Sequence, residues 1–236
     1  MPRPKHLRKT ATQFADKNRA LARFFFDETG KTWQAIIGVD EVGRGCLFGP
    51  VTVGAVMVTQ ASLAALETEA WAGQVTDSKL LSAKRREELA PKIAANLPHA
   101  TAHIAVRYID RHNINRAIQY GIYRAVQSLL RAASMHPEAV RIIADGNYRF
   151  KYPVLGMAKP MPRLDTETKA DLRYFPVSAA SVIAKVRRDA LIARAADRFS
   201  RYDLAGNAGY GTQKHRDAIA EHGLTAFHRK SFKLKG

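Results

Sequence analysis

Two stretches decide how this chain of 236 residues folds. The first reads Ile36-Ile37-Gly38-Val39-Asp40-Glu41-Val42-Gly43-Arg44-Gly45, the second Arg141-Ile142-Ile143-Ala144-Asp145-Gly146-Asn147. Each is an apolar, β-branched run of strand length that ends on an acid. An acid at the end of a buried strand loses solvation unless something compensates it. A divalent cation shared by carboxylates from adjacent strand ends is one such compensation. Asp40 and Asp145 would reach one ion if their strands are neighbours, and their mutual repulsion would then favour metal binding. The alternative is structural: Asp-Gly-Asn is also a turn sequence, and glycines around Arg44 also suit a hairpin connection.

Outward from these runs, Val51 to Thr59 reads as a strand adjacent to Gln34–Val39, joined to it by a segment with Gly43, Gly45, Gly49 and Pro50. Thr101 to Ile109 alternates polar and apolar residues and predicts another strand. Ser82 is placed as the N-cap of a helix ending near Asn96. Ile114, Ile118, Ile122, Val126 and Leu129 form an apolar stripe, predicting a helix over Ile109–Ala133. A further helix is expected over Ser178–Phe199, its first residues small enough to pack closely on a sheet. The pattern predicts an α/β fold with a mixed central sheet flanked by helices. The expected organisation is a basic arm over 1–32, disordered or helical around Asn18–Phe26, a catalytic domain over 33–200, and a C-terminal helical extension over 201–236.

Charge narrows the partners. Lys and Arg number 38 against 21 Asp and Glu, a net +17. Residues 1–31 hold 8 basic and 3 acidic groups, and residues 185–236 hold 12 and 5, so the excess is densest at the ends. Such a field concentrates polyanions, nucleic acid first among them. The lone Cys46 excludes an internal disulfide or a cysteine-rich zinc site, and it reads as a small apolar filler. No apolar run approaches the ~20 residues that span a bilayer, and a basic N-terminus without an apolar stretch is not a secretory signal. A cytoplasmic monomer is expected.

Gly38 to Gly45, followed by Gly49-Pro50-Val51, resembles the opening motif of the ribonuclease HII family. The resemblance continues in family order through Asp77-Ser78-Lys79, Asp145-Gly146, Ser178-Ala179-Ala180-Ser181, Ala184-Lys185-Val186, Arg188-Asp189, and Gly209-Tyr210-Gly211-Thr212 with His215, over roughly residues 34–232. It implies a ribonuclease H-like fold and a site of four carboxylates, Asp40, Glu41, Asp145 and Asp171, holding Mg²⁺ or Mn²⁺. It also implies hydrolysis of RNA–DNA hybrids and incision at ribonucleotides in duplex DNA. Two ions about 3.5–4 Å apart serve such phosphodiester hydrolysis without a protein nucleophile.

By the same resemblance, Gly43, Arg44 and Gly45 contact the ribose 2′-hydroxyl beside the scissile phosphate. Tyr210 packs on the following deoxyribose. By their charge Lys79, Lys185 and the tail's Arg229, Lys230 and Lys233 are natural phosphate contacts, and the tail reads equally as a solvated basic end. The sequence departs from the family at Lys169-Ala170-Asp171, where Lys-Gly-Asp is usual, and at Cys46 and Phe48, where proline and a small residue are usual. Asp165 and Glu167 compete with Asp171, which alone has a lysine two residues before it. The segment Asn147–Thr168 is longer than usual. His215 is expected to serve the local fold. Competing classes are a ribonuclease HIII-type enzyme (which usually carries an additional N-terminal domain), a junction resolvase, and a basic binding module without catalysis.

Overall fold

The structure, a computed structural model, describes residues 5–147 and 161–233, with side chains from Thr12. Most of the Asn147–Thr168 segment therefore lies outside the described residues. Helix α1 (Lys5–Ala22) precedes strands β1 (Ala35–Val42) and β2 (Val51–Val58), then helices α2 (Gln60–Leu66) and α3 (Ala83–Asn96). Strand β3 (His99–Ile104), helices α4 (Val106–His112) and α5 (Ile114–Ala132), and strands β4 (Val140–Asp145) and β5 (Arg163–Glu167) follow. The chain closes with α6 (Ala170–Arg173), α7 (Phe175–Ala196), α8 (Leu204–Asn207) and α9 (Gln213–His222).

The five strands lie in the order β3-β2-β1-β4-β5. β1 runs antiparallel to β2 and parallel to β4, and β5 adds in parallel at the edge. Side chains alternate between faces along a strand. Ile36, Val56, Val58 and Ile143 therefore face α1, α3 and α7, whereas Ile37, Val39, Val53 and Ile142 face α5. Gly38 and Gly54 belong to the first face, and α7 crosses directly over them. A Cβ on Gly38 would stand 2.2 Å from the Pro176 carbonyl carbon, and one on Gly54 would stand 2.4 Å from the Ala180 oxygen. Asp40 and Asp145 continue the same alternation, so both carboxylates leave the sheet on the α7 side.

Three expectations change. The arm is a helix over Lys5–Ala22, and Phe14, Leu21, Phe24 and Phe25 are buried against the sheet's α7 face. Burial of each such side chain contributes roughly 1.5–3 kcal/mol, which holds the arm to the core. The strand expected over Thr101–Ile109 stops at Ile104, because Val106 and Ile109 turn inward as part of α4. The helix expected over Ile109–Ala133 is two helices, broken at Asn113, whose φ of 67° and ψ of 164° lie outside any helical conformation. Its side chain then caps α5 by accepting from Arg116 N. Helices α8 and α9 and the tail build a separate cluster of Leu47, Phe48, Ile192, Tyr202, Leu204 and Ile219. The larger Phe48 is accommodated there, stacked edgewise on Phe199 and His228.

Candidate active site

Val39 on β1 pairs with Ala144 on β4, so the next residue on each parallel strand is the acid, Asp40 beside Asp145. Asp40 Oδ1 accepts from Glu41 N at 2.8 Å, and Ser181 on α7 donates to its carboxyl group. Asp145 Oδ1 accepts from Ala170 N at 2.8 Å. That bond draws the start of α6 onto the strand end and carries Asp171, which is only 6% exposed, into the same place. Burial, and after it the charges of Glu41, Asp145 and Asp171, hold Asp40 well above the usual carboxylate range. Burial, with Asp145 and Asp77, pushes Asp171 up to about 6 while Lys79 opposes the shift.

The sequence's departure at Ala170 has a plain explanation. The left-handed residue of this turn is Lys169, at φ 61°, and Ala170 is already helical, so glycine is not required there. The competing acids are engaged elsewhere: Asp165 pairs with Arg141 at 2.5 Å, and Glu167 is held by Arg23, Arg173 and the Tyr174 hydroxyl. Asp40, Asp145 and Asp171 thus come together. Glu41 alternates to the other face of β1, where its carboxylate lies 3.7 Å from Arg44. Among the described residues no three such groups already form a closed metal cage. Buried or half-buried, mutually repelling carboxylates are nonetheless the hard oxygen donors that suit Mg²⁺ or Mn²⁺.

Beside the acids runs the loop from Gly43 to Gly49. Gly43, at φ 86°, leaves no room for a side chain, since a Cβ would meet Arg188 Nε at 2.1 Å. A Cβ on Gly45 would point into open space. The Arg44 guanidinium donates to Asn115 Oδ1 at 2.8 Å. Cys46 is buried and forms a β-bridge with Tyr210, its thiol pushed up by burial. The Tyr210 ring is 39% exposed, with Lys185 Nζ and the Arg188 guanidinium within 6 Å of its centre, at 5.8 and 5.9 Å. Lys185 is paired with Asp189 at 2.8 Å. Lys79 is exposed, and its N–H donates to Asp77 Oδ1.

Two arginines hold these loops and were not legible as such. Arg188 is fully buried and donates to the carbonyls of Phe48, Pro50 and Ala208. Arg229, read from sequence as a phosphate contact, is 2% exposed. It donates instead to the carbonyls of Gly49 and Arg44, and burial lowers it to about 10. The Arg188-Asp189 motif was the available signal for the first; nothing in the basic tail distinguishes the second from its solvated neighbours. His215 is buried as expected for a structural role, with Nδ1 2.9 Å from Tyr210 O.

Comparison with known proteins agrees with this geometry. The family model described as Ribonuclease HII matches residues 37–235. The Ribonuclease HII of Synechococcus sp. (strain WH7803) is 43% identical over 197 residues, 83% of this chain and 93% of that protein. That of Ruegeria sp. (strain TM1040) is 39% identical over 198 residues, covering 84% and 77%. Among solved structures, the chain is similar to one from the PCNA:RNase HII complex of Archaeoglobus fulgidus, with TM-score 0.62 and 27% identity over 85% of this chain and 96% of the other. It shares its fold with the ribonuclease H2 of Pyrococcus horikoshii OT3, with TM-score 0.64 and 24% identity over 84% and 94%. The chain therefore belongs to the ribonuclease HII family and is a metal-dependent endoribonuclease of the ribonuclease H type.

Proposed function

We propose that this enzyme hydrolyses the RNA strand of RNA–DNA hybrids and incises duplex DNA at embedded ribonucleotides, leaving 3′-hydroxyl and 5′-phosphate ends. The observation that carries the reading is the meeting of Asp40, Asp145 and Asp171 beside the Gly43–Gly49 loop, with exposed Tyr210 bridged to that loop through Cys46. Asp40, Glu41, Asp145 and Asp171 would hold two divalent ions, Mg²⁺ or Mn²⁺, with Glu41 joining from beside Arg44. Bound there, the metal supplies Lewis acidity at the scissile phosphate and lowers the pKa of the attacking water.

The protein's own groups position the substrate. Gly45, with open space where a side chain would be, admits the ribose to the backbone beside the acids. Arg44, held by Asn115 and near Glu41, stands beside the sugar-phosphate chain. Tyr210 offers its face to the next sugar, and Lys79 and Lys185 meet phosphates. Asp189 competes for Lys185, so that contact exchanges one partner for another. The enzyme acts as a cytoplasmic monomer on nucleic acid, and no helix among the described residues is long and apolar enough to cross a membrane.

The test is a labelled duplex containing one ribonucleotide, beside its all-DNA counterpart, with Mg²⁺ or with chelator. Incision of the first alone, in metal alone, supports the reading. Equal cutting of both duplexes, or retardation without cutting, contradicts it.

A further inference from the structure

Helix α1 lies outside the residues matched by the family model, yet one of its side chains reaches the edge of the acid site. Lys17 is 4% exposed. Its Nζ donates to the Val75 carbonyl at 3.0 Å and to Ser178 Oγ at 2.7 Å. Ser178, wholly buried in the first turn of α7, donates in turn to the main-chain oxygen of Asp171 at 2.5 Å, with the Tyr174 oxygen at 3.2 Å.

The direction of these bonds is fixed by chemistry. An ammonium has protons to give and no lone pair. Its bond to Ser178 must therefore use a hydroxyl lone pair, which turns the hydroxyl proton toward the carbonyls of Asp171 and Tyr174. The second partner, Val75, stands two residues before Asp77, whose carboxylate caps the Ser78–Leu80 turn that carries Lys79. One ammonium thus links α6, which bears Asp171, through Ser178 to the segment that leads from Val75 into the Asp77–Lys79 turn.

Burial draws Lys17 down to about 8, against the attraction of Asp171 and Asp77. Fixing the helix to the core needs no such group, because Phe14, Leu21, Phe24 and Phe25 already bury apolar surface. Taking a charge out of water costs more than an apolar side chain of similar volume would. The cost therefore points to something other than adhesion.

We propose that Lys17 is a positioning residue of the active site, setting the Asp171 turn against the Asp77–Lys79 turn and making helix α1 a working part of the catalytic unit. This rests on the reading of Asp171 as a metal ligand. The cation of α1 acts through Ser178 and main-chain carbonyls, and it touches neither metal nor substrate.

The test compares Lys17→Met, Ser178→Ala, their double variant and Asp171→Asn. Cleavage of the single-ribonucleotide duplex is measured against Mg²⁺ concentration, beside Mn²⁺ binding by calorimetry without substrate and a melting curve. Lys17→Met is expected to lower kcat about tenfold and to weaken Mn²⁺ binding several-fold, with KM for the duplex within about twofold. Ser178→Ala should do the same, and the double variant should be no worse than the stronger single one, as for residues acting through one chain of bonds. If Lys17→Met does not fold, Ser178→Ala alone decides. Unchanged kcat and Mn²⁺ binding in the folded variants overturns the proposal, as does a loss confined to KM. Wild-type Mn²⁺ binding and activity in Asp171→Asn would instead remove the reading of Asp171 on which it rests.

Discussion

His215 and His228 face each other through their Nε2 atoms at 3.1 Å, both buried. The backbone N–H of Thr225 donates to His228 Nδ1 at 3.0 Å, so His228 carries its proton on Nε2 and donates it to His215. His215 is then protonated on Nδ1 and donates to Tyr210 O. Each ring is therefore neutral, and a second proton on either would set two N–H groups against each other. Burial lowers His215, and burial with its partner's charge lowers His228 to about 4, from 6.5; Asp203 pulls His215 the other way.

A histidine with a depressed folded pKa stabilises the fold fully above its unfolded value and loses that contribution as pH falls toward its folded one. The window here runs from 6.5 down to about 4, and the contribution is on the order of 3 kcal/mol at neutral pH. Ring-proton NMR should show His228 still neutral at pH 5, with melting temperature falling across the same window. A His228 midpoint near 6.5 would contradict the bonded tautomers.

Gly38 and Gly45 predict opposite outcomes for the same change. Gly38→Ala drives a methyl group into the backbone of α7, and overpacking against backbone costs at least ~1–3 kcal/mol. Its melting temperature should fall by roughly 2 °C or more. Gly45→Ala has open space before it and should melt within about 1–2 °C of wild type, since exposed changes cost under ~0.5 kcal/mol. Its cleavage should nonetheless drop at least tenfold, because the methyl occupies the place of the ribose. Normal cleavage by a folded Gly45→Ala protein would deny that the substrate approaches there.

Asp40→Asn should lose activity and gain stability in chelator. The buried carboxyl group is repelled by Glu41, Asp145 and Asp171, and the amide relieves that repulsion. A gain of ~1–2 kcal/mol corresponds to about 2–8 °C in melting temperature. Mg²⁺ should then raise the wild-type melting temperature more than that of the variant, since a ligand stabilises only what binds it. A destabilised, metal-responsive Asp40→Asn protein would place the acid outside the metal site.

Tyr210→Ala separates reading of the RNA–DNA junction from chemistry. In the proposed reading the exposed ring stacks on nucleic acid, a contact that contributes roughly 1–3 kcal/mol. Cleavage at a single ribonucleotide should fall about tenfold or more, whereas cleavage in long hybrids, which offer many registers, should fall less. A structural tyrosine would lower both rates together, along with the melting temperature.

Most of the sheet was legible because buried strands announce themselves. β1, β2 and β4 are near-continuous apolar runs, and Asp40 and Asp145, toward the ends of β1 and β4, fall on one face through period-two alternation. β5 escaped because Arg163-Leu164-Asp165-Thr166-Glu167 is a polar edge strand with half-buried side chains. Helix α1 was legible only in part, since its buried face is diluted by six basic residues from Lys5 to Arg23. Arg188, Arg229 and Lys17 mark the harder limit. A buried, carbonyl-bonded cation and a solvated one look alike in sequence, because the difference lies in main-chain oxygens contributed from distant segments.

The most direct measurement places Asp145→Asn beside wild type on a duplex with one ribonucleotide, in saturating Mg²⁺, with binding followed by retardation on a gel. Asp145 ends β4 next to Asp40 and holds the Asp171 turn through Ala170 N. Its amide should abolish incision while leaving binding within about threefold, because in the proposed reading phosphate contacts by lysine and arginine supply the affinity. Near-normal incision by a folded Asp145→Asn protein would contradict the carboxylate site at its centre.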